Sequence, residues 1–196
     1  RAGKDGDFLL EPAPSSVTNN DLVDGQIVYS FIPKHNGRPP RGNFQIAAAP
    51  GLLRLLGYYT AEGCPTGRYG SHFSFNIKET GYHEDVINLL RGVFGDIPIR
   101  ISVSPNTDNA VDIMVSSVVV SQFFTESVGS GARNKRLPQW IFRCSPALIA
   151  EFLTGYWRGD GSRSVRGFHI TTASAGLAED VRRLLLHLGI VAAVGY

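Results

Sequence analysis

The chain has 196 residues, 43% of them hydrophobic, and 19 Lys and Arg against 17 Asp and Glu give a formal net charge of +2. That is enough apolar chain for one or two compact domains. No window approaches the roughly 18 consecutive apolar residues of a membrane span, and the opening RAGKDGDFLL lacks the apolar core of a secretory signal. The only cysteines, Cys64 and Cys144, lie far apart without CxxC spacing, which argues against a disulfide framework or a structural zinc site and suits a reducing, cytoplasmic compartment.

Residues 1–44 read as an N-terminal extension, with a Pro-, Gly- and Arg-rich stretch from Pro33 to Gly42 expected as an exposed loop or arm. Charge is unevenly spread. From Gly25 to Ala61 there is no acid, beside Lys34, Arg38, Arg41 and Arg54; from Ser127 to Ala150 there is again none, beside Arg133, Lys135, Arg136 and Arg143. Such patches suit a phosphate-tracking surface, although two solvated basic loops account for them equally well.

A first helix is expected over Pro50 to Ala61, with Pro in its opening turn and Gly63 just past its end. An alternating strand follows at His72 to Ile77, then a second helix with Val86, Leu89, Leu90 and Val93 at helical spacing. The stretches Ile97 to Val103 and Val111 to Val120 read as β. The pattern then recurs. A helix is expected over Pro146 to Gly159 with Gly161 beyond it, a strand over Phe168 to Thr171, and a helix with Val181, Leu184, Leu185 and Leu188.

Aligned without a gap from Phe73 on Phe168, Gly81 falls on Gly176 and Glu84-Asp85-Val86 on Glu179-Asp180-Val181. Upstream, LGYYTAEG meets TGYWRGDG after a three-residue gap. The chain therefore reads as two copies of one unit, 45–145 and a C-terminally truncated 146–196, in an α+β fold with a pseudo-twofold.

The opening helices carry the chemistry. Gly57 and Ala61 are four apart, as are Gly155 and Gly159, so each helix has one face almost without side chains. For either helix alone, ordinary core packing explains this. But each small face ends in an acid followed by glycine, Glu62-Gly63 and Asp160-Gly161. Packed side by side, the helices would bring two carboxylates together at the end that the helix dipole disfavours, an arrangement that a hard divalent cation neutralises.

LLRLLGYYTAEG (Leu52 to Gly63) and FLTGYWRGDGS (Phe152 to Ser162) resemble the two dodecapeptide motifs of LAGLIDADG homing endonucleases. Lys135-Arg136-Leu137-Pro138 is similar to the Lys-x-x-Pro segment ahead of the second motif in intein endonuclease domains, and Thr171 to Ile190 resembles the segment after it. Residues 4–10 resemble the place where inteins pass from splicing to endonuclease domain, which makes 1–44 the link.

The resemblance implies a monomer with two αββαββα-like halves and an antiparallel saddle on a long, pseudo-palindromic double-stranded DNA target, cut with Mg²⁺ or Mn²⁺. Glu62 and Asp160 are then the metal-binding and catalytic acids. Lys135 is the first choice for a catalytic base-side cation near the scissile phosphate, with Arg68 and Arg166 as runners-up. Ser74, Asn76, His169 and Thr171 are expected to face the groove, and Lys34, Arg38 and Arg41 to contact phosphate. The alternative is a non-cutting DNA- or RNA-binding module of the same fold, such as a degenerate intein domain, a maturase or a transcription regulator.

Overall fold

The computed structural model describes residues 22–23, 26–31, 44–67, 70–104, 108–165 and 167–195. A three-stranded antiparallel sheet of β1 (Leu22–Val23), β2 (Gln26–Phe31) and β3 (Phe44–Ala47) precedes the repeats. The first copy follows as α1 (Pro50–Glu62), β4 (Gly63–Thr66), β5 (Gly70–Asn76), α2 (Thr80–Phe94), β6 (Ile99–Val103), β7 (Ala110–Val115) and α3 (Val118–Val128). After a 3-10 turn at Gln139–Arg143 the second copy gives α4 (Pro146–Asp160), β8 (Gly161–Ser164), β9 (Gly167–Ile170) and α5 (Ala175–His187). The first copy's sheet runs β4-β5-β7-β6, all antiparallel; β8 and β9 form a hairpin. No described helix is long and apolar enough to cross a membrane.

Helix α1 is apolar on nearly every side because it is covered on nearly every side: Leu52, Leu53, Leu55, Leu56, Tyr58 and Tyr59 are all buried. Tyr59 stacks on Phe124 with centroids 4.2 Å apart, and Phe73 meets the edge of both rings. Its remaining face meets α4. A Cβ built on Gly57 would overlap the Phe152 carbonyl and stand 2.7 Å from Tyr156 N; one on Gly155 would overlap the Arg54 carbonyl and stand 3.0 Å from Tyr58 N. The helices thus touch backbone to backbone at the two glycines, as the small faces predict. At Gly159 the close neighbours are Ala61 and Glu62.

Two expectations need correction. Val118 to Val120 begins helix α3 and is not strand. Ser117 turns the chain there, its side chain accepting from Val120 N, and the burial of Val120, Phe123 and Phe124 against α1 and β5 outweighs the β preference of the valines. Gly63 and Gly161 follow the helix ends as expected, with φ angles of −87° and −81°. They are glycine because a Cβ would strike the Tyr59 ring in one case and Trp157 in the other.

The second correction is register. Gly63 faces Phe73 and Cys64 faces His72, while Gly161 faces Ile170 and Ser162 faces His169. The structural counterpart of His72 is therefore His169, and Phe73 corresponds to Ile170 instead of Phe168. Phe73 is fully buried and Phe168 is 71% exposed. In the second copy the turn is one residue shorter (165–166 against 67–69), β9 is three shorter than β5 and the link to the next helix one longer (171–174 against 77–79), which leaves the three-residue gap between the alignments upstream and downstream.

Candidate active site

Glu62 and Asp160 are the last residues of α1 and α4, so the close crossing of those helices brings their carboxyl groups to one place. A Cβ on Gly159 would stand 3.0 Å from Glu62 Cγ and 3.4 Å from its Oε1, so the glycine leaves the space that the Glu62 side chain crosses. Burial, then the Asp160 charge and, more weakly, Glu79 push the Glu62 carboxyl up to about 7, with Lys135 pulling the other way. Burial also raises Asp160, again opposed by Lys135. Two partly desolvated, mutually repelling acids make a site that favours positive charge.

Lys135 supplies part of that charge from below. Its side chain is 7% exposed, and Nζ donates to the carbonyls of Thr60 at 2.7 Å, Gly63 at 2.9 Å and Tyr59 at 3.1 Å, with Ala61 O at 3.4 Å. The ammonium caps the carbonyl end of α1 and offsets its dipole directly beneath Glu62. Burial lowers its pKa, while Asp160, Cys64 and Glu62 hold it up. The expectation of a cation presented to a phosphate meets, in the structure, a cation enclosed by backbone.

The local sequence fixes it there. Arg136 grips the buried Asp180 of α5 through Nε at 2.7 Å and Nη2 at 2.9 Å, and Leu137 N donates to the same carboxylate at 3.0 Å. Ser174 Oγ donates to the Lys135 carbonyl at 2.8 Å. Gly176 makes room for the arginine, since a Cβ there would fall 2.5 Å from Arg136 Cδ. The Lys-Arg-Leu-Pro segment is thus pinned to α5 on one side while it reaches under α1 on the other.

A second network was not foreseen. Asp85 of α2 accepts from Tyr58 Oη at 3.0 Å and Arg158 Nη1 at 2.7 Å, with Arg54 Nη1 at 3.4 Å, and Arg54 Nε donates to Glu151 at 2.7 Å. Arg158 also donates to Tyr58 Oη at 2.8 Å and lies over the Tyr82 ring. It ties α1, α2 and α4 one turn back from the acids. Only Asp85 carried a sequence signal, as the repeat partner of Asp180.

Of the groove-facing candidates, Ser74 and Asn76 lie on the outer face of β5, alternating with buried Phe73 and Phe75. The Asn76 side chain, however, accepts from Lys78 N at 3.0 Å and so shapes the turn to α2. Ser74 sits beside Asp112, and His72 between Cys64 and Met114, by strand register. His169 is exposed on β9, and Thr171 is exposed just past its end. His72 was missed because the alignment placed it outside the matched segment. Arg68, Arg166, Lys34, Arg38 and Arg41 lie outside the described residues.

Comparison with known proteins agrees with this geometry. Residues 147–194 match the LAGLIDADG-like domain family. The chain is 33% identical over 141 residues to the DNA polymerase II large subunit of Thermococcus kodakarensis, covering 69% of this chain and 8% of that protein. It is 27% identical over 196 residues to an iron-sulfur cluster assembly SufBD family protein of Mycobacterium tuberculosis, covering 95% of this chain and 22% of that protein. The chain therefore spans under a quarter of the length of either relative. Among solved structures it resembles I-DmoI crystallised with DNA and Mn, with a TM-score of 0.57 at 15% identity over 76% of this chain and 82% of that one. Residues 147–194 therefore match a LAGLIDADG-like domain, and the fold is that of the homing endonuclease I-DmoI.

Proposed function

We propose that the protein is a site-specific endonuclease that hydrolyses both strands of double-stranded DNA at the junction of α1 and α4. The observation that carries this is the pair of desolvated acids, Glu62 and Asp160, delivered to one place by two helices in backbone contact. A protein using this fold only as a scaffold has no need to bury two repelling carboxylates.

The donor set fits a small, hard divalent cation. Glu62 and Asp160 offer oxygen, and among the described residues no third His, Cys, Asp or Glu joins them in a cluster, so water and phosphate oxygens complete the shell. When bound, Mg²⁺ or Mn²⁺ supplies a polarised phosphate and a more acidic water. Glu62 and Asp160 hold the cation, one from each half. Lys135 keeps both acids closer to ionised than burial alone allows and fixes the α1 terminus that carries Glu62. The pseudo-twofold of the helices favours a target with matching pseudo-symmetry, read by a single chain with no membrane partner. The outer face of β5 and its neighbours, with Ser74 and His72, and of β8–β9, with His169, is the surface offered to the duplex. The likeness to I-DmoI, crystallised with DNA and Mn, supports both partner and ion class.

The chain matches a small part of a polymerase subunit and of an iron-sulfur cluster assembly protein. A segment shared by proteins of such different names behaves like a mobile insert, which favours an intein-type endonuclease inside a cell. The test is selection from a randomised duplex pool with Mg²⁺. The reading expects one discrete cut sequence to emerge; a pool that yields bound but never cut duplexes would favour the non-cutting module.

A further inference from the structure

Each acid-bearing helix runs straight into a hairpin, and strand register puts a histidine at the same place in both. Cys64 faces His72, and Ser162 faces His169. In each hairpin the imidazole meets a hydroxyl two residues further along the first strand: Thr66 Oγ1 lies 3.0 Å from His72 Nδ1, and Ser164 Oγ lies 2.8 Å from His169 Nε2. Both rings sit on outward positions, His72 half-buried between the inward Ser71 and Phe73 and His169 exposed.

The first pair borders the carboxylate centre. Cys64, two residues past Glu62, has Sγ 3.4 Å from His72 Nε2, and Lys135 Nζ donates to the carbonyl of the adjoining Gly63 at 2.9 Å. Residue type, register and hydroxyl partner all repeat, although the hairpins otherwise share little: Cys64 is matched by Ser162, Pro65 by Arg163 and Phe73 by Ile170. Neither imidazole fills the core or caps a helix, so the fold itself does not require the match.

We propose that His72 and His169 are a matched pair of substrate-contacting residues, each donating an imidazole N–H to a phosphate oxygen of the strand cut beside its own hairpin. The proposal rests on the endonuclease reading above. A neutral imidazole has one donor and one acceptor nitrogen, and the bond made by one fixes the role of the other. With Thr66 donating to His72 Nδ1 and Ser164 to His169 Nε2, each ring is oriented and the proton sits on its other nitrogen, Nε2 beside Cys64 Sγ in His72 and Nδ1 in His169. A pre-set donor beside two acids suits the phosphodiester, whose charge grows during attack.

The experiment uses a duplex recovered from the randomised pool by selection for cutting with Mg²⁺, with each strand labelled separately. His72→Ala and His169→Ala should each slow one strand about 100- to 1000-fold, the size of losing one oriented donor, and the slowed strands should be opposite. Nicked duplex should accumulate, while binding in Ca²⁺ and the melting temperature stay near the parent's. His72→Gln, which keeps an N–H donor, should recover part of the lost rate on the same strand. Thr66→Val and Ser164→Ala should slow the strand of their own histidine, more weakly. A parent that cuts no duplex removes the endonuclease reading and this pairing together. A cutting parent whose histidine variants slow both strands alike, or neither, overturns the pairing alone.

Discussion

Glu62 concentrates the electrostatic tension of the site. Its carboxyl is held near 7 against an ordinary value of 4.5, so the folded protein binds a proton there that the unfolded chain releases. The stability this confers is fully present below pH 4.5 and is lost as pH rises through about 7. At pH 8 without metal, the ionised acid should therefore cost stability on the order of 1–3 kcal/mol, discounted for its partial exposure. Melting curves from pH 5 to 8 should show this loss in the parent and not in Glu62→Gln, and Mg²⁺ should restore the parent at pH 8. A parent that gains no stability from Mg²⁺ at pH 8 would contradict a cation at these acids.

Lys135 makes a second residue-scale prediction. Lys135→Met keeps the buried stem but leaves the carbonyls of Thr60 and Gly63 without their donor. It should cost about 3 kcal/mol and move Glu62 further up. Urea unfolding measures the first effect, and a shifted pH dependence of Mg²⁺ stabilisation measures the second. An unperturbed unfolding midpoint would mean that the ammonium is not the cap described.

At the scale of elements, the fold depends on two helices in backbone contact. Gly155→Ala drives a Cβ into the Arg54 carbonyl, and overpacking of that kind should cost about 3 kcal/mol or more. Gly92→Ala on the open side of α2, where nothing lies within 4 Å, is the control and should stabilise by up to about 1 kcal/mol. Equal melting temperatures for the two variants would remove the close crossing.

This part of the molecule was legible in advance, because small residues four apart, Gly57 and Ala61 or Gly155 and Gly159, followed by an acid state both the crossing and its end. Other features were not, for physical reasons. The valines that open α3 have β-branched side chains, and only their burial against α1 and β5 decides for helix. The repeat register slipped because Phe168 resembles Phe73 in letter but not in burial, and a ladder is set by pairing, which a single sequence does not display. The grip of Arg158 and Arg54 on Asp85 joins residues up to 73 positions apart, and nothing local signals it. Lys135 was found as a cation near the acids, but its enclosure by α1 carbonyls depends on tertiary placement.

The whole molecule is close to neutral, so its attraction to DNA must come from where its charges lie. The acid-free stretch 127–150 places Arg133 and Arg143 on the described surface, and Lys34, Arg38 and Arg41 lie in the other. Binding in Ca²⁺ should weaken steeply with salt as counterions are displaced. Replacing Lys34, Arg38 and Arg41 together should flatten that slope without changing the chemistry of the bound complex, read as the cutting rate at saturating protein. A slope near zero in the parent would exclude nucleic acid as its partner.

The central claim joins all three scales: two equivalent helices deliver one acid each to a shared metal-dependent centre. The most direct test is strand-resolved cutting of a selected duplex by Asp160→Asn and Glu62→Gln, alongside binding in Ca²⁺ and thermal melting. Each variant keeps size and hydrogen-bonding capacity and loses the charge that holds the cation. Both should stay folded and bind DNA as well as the parent or better, since one negative charge no longer opposes the phosphates. Both should lose double-strand cutting, leaving at most a nick. Intact cutting in both variants, or unfolding of either, would contradict the account.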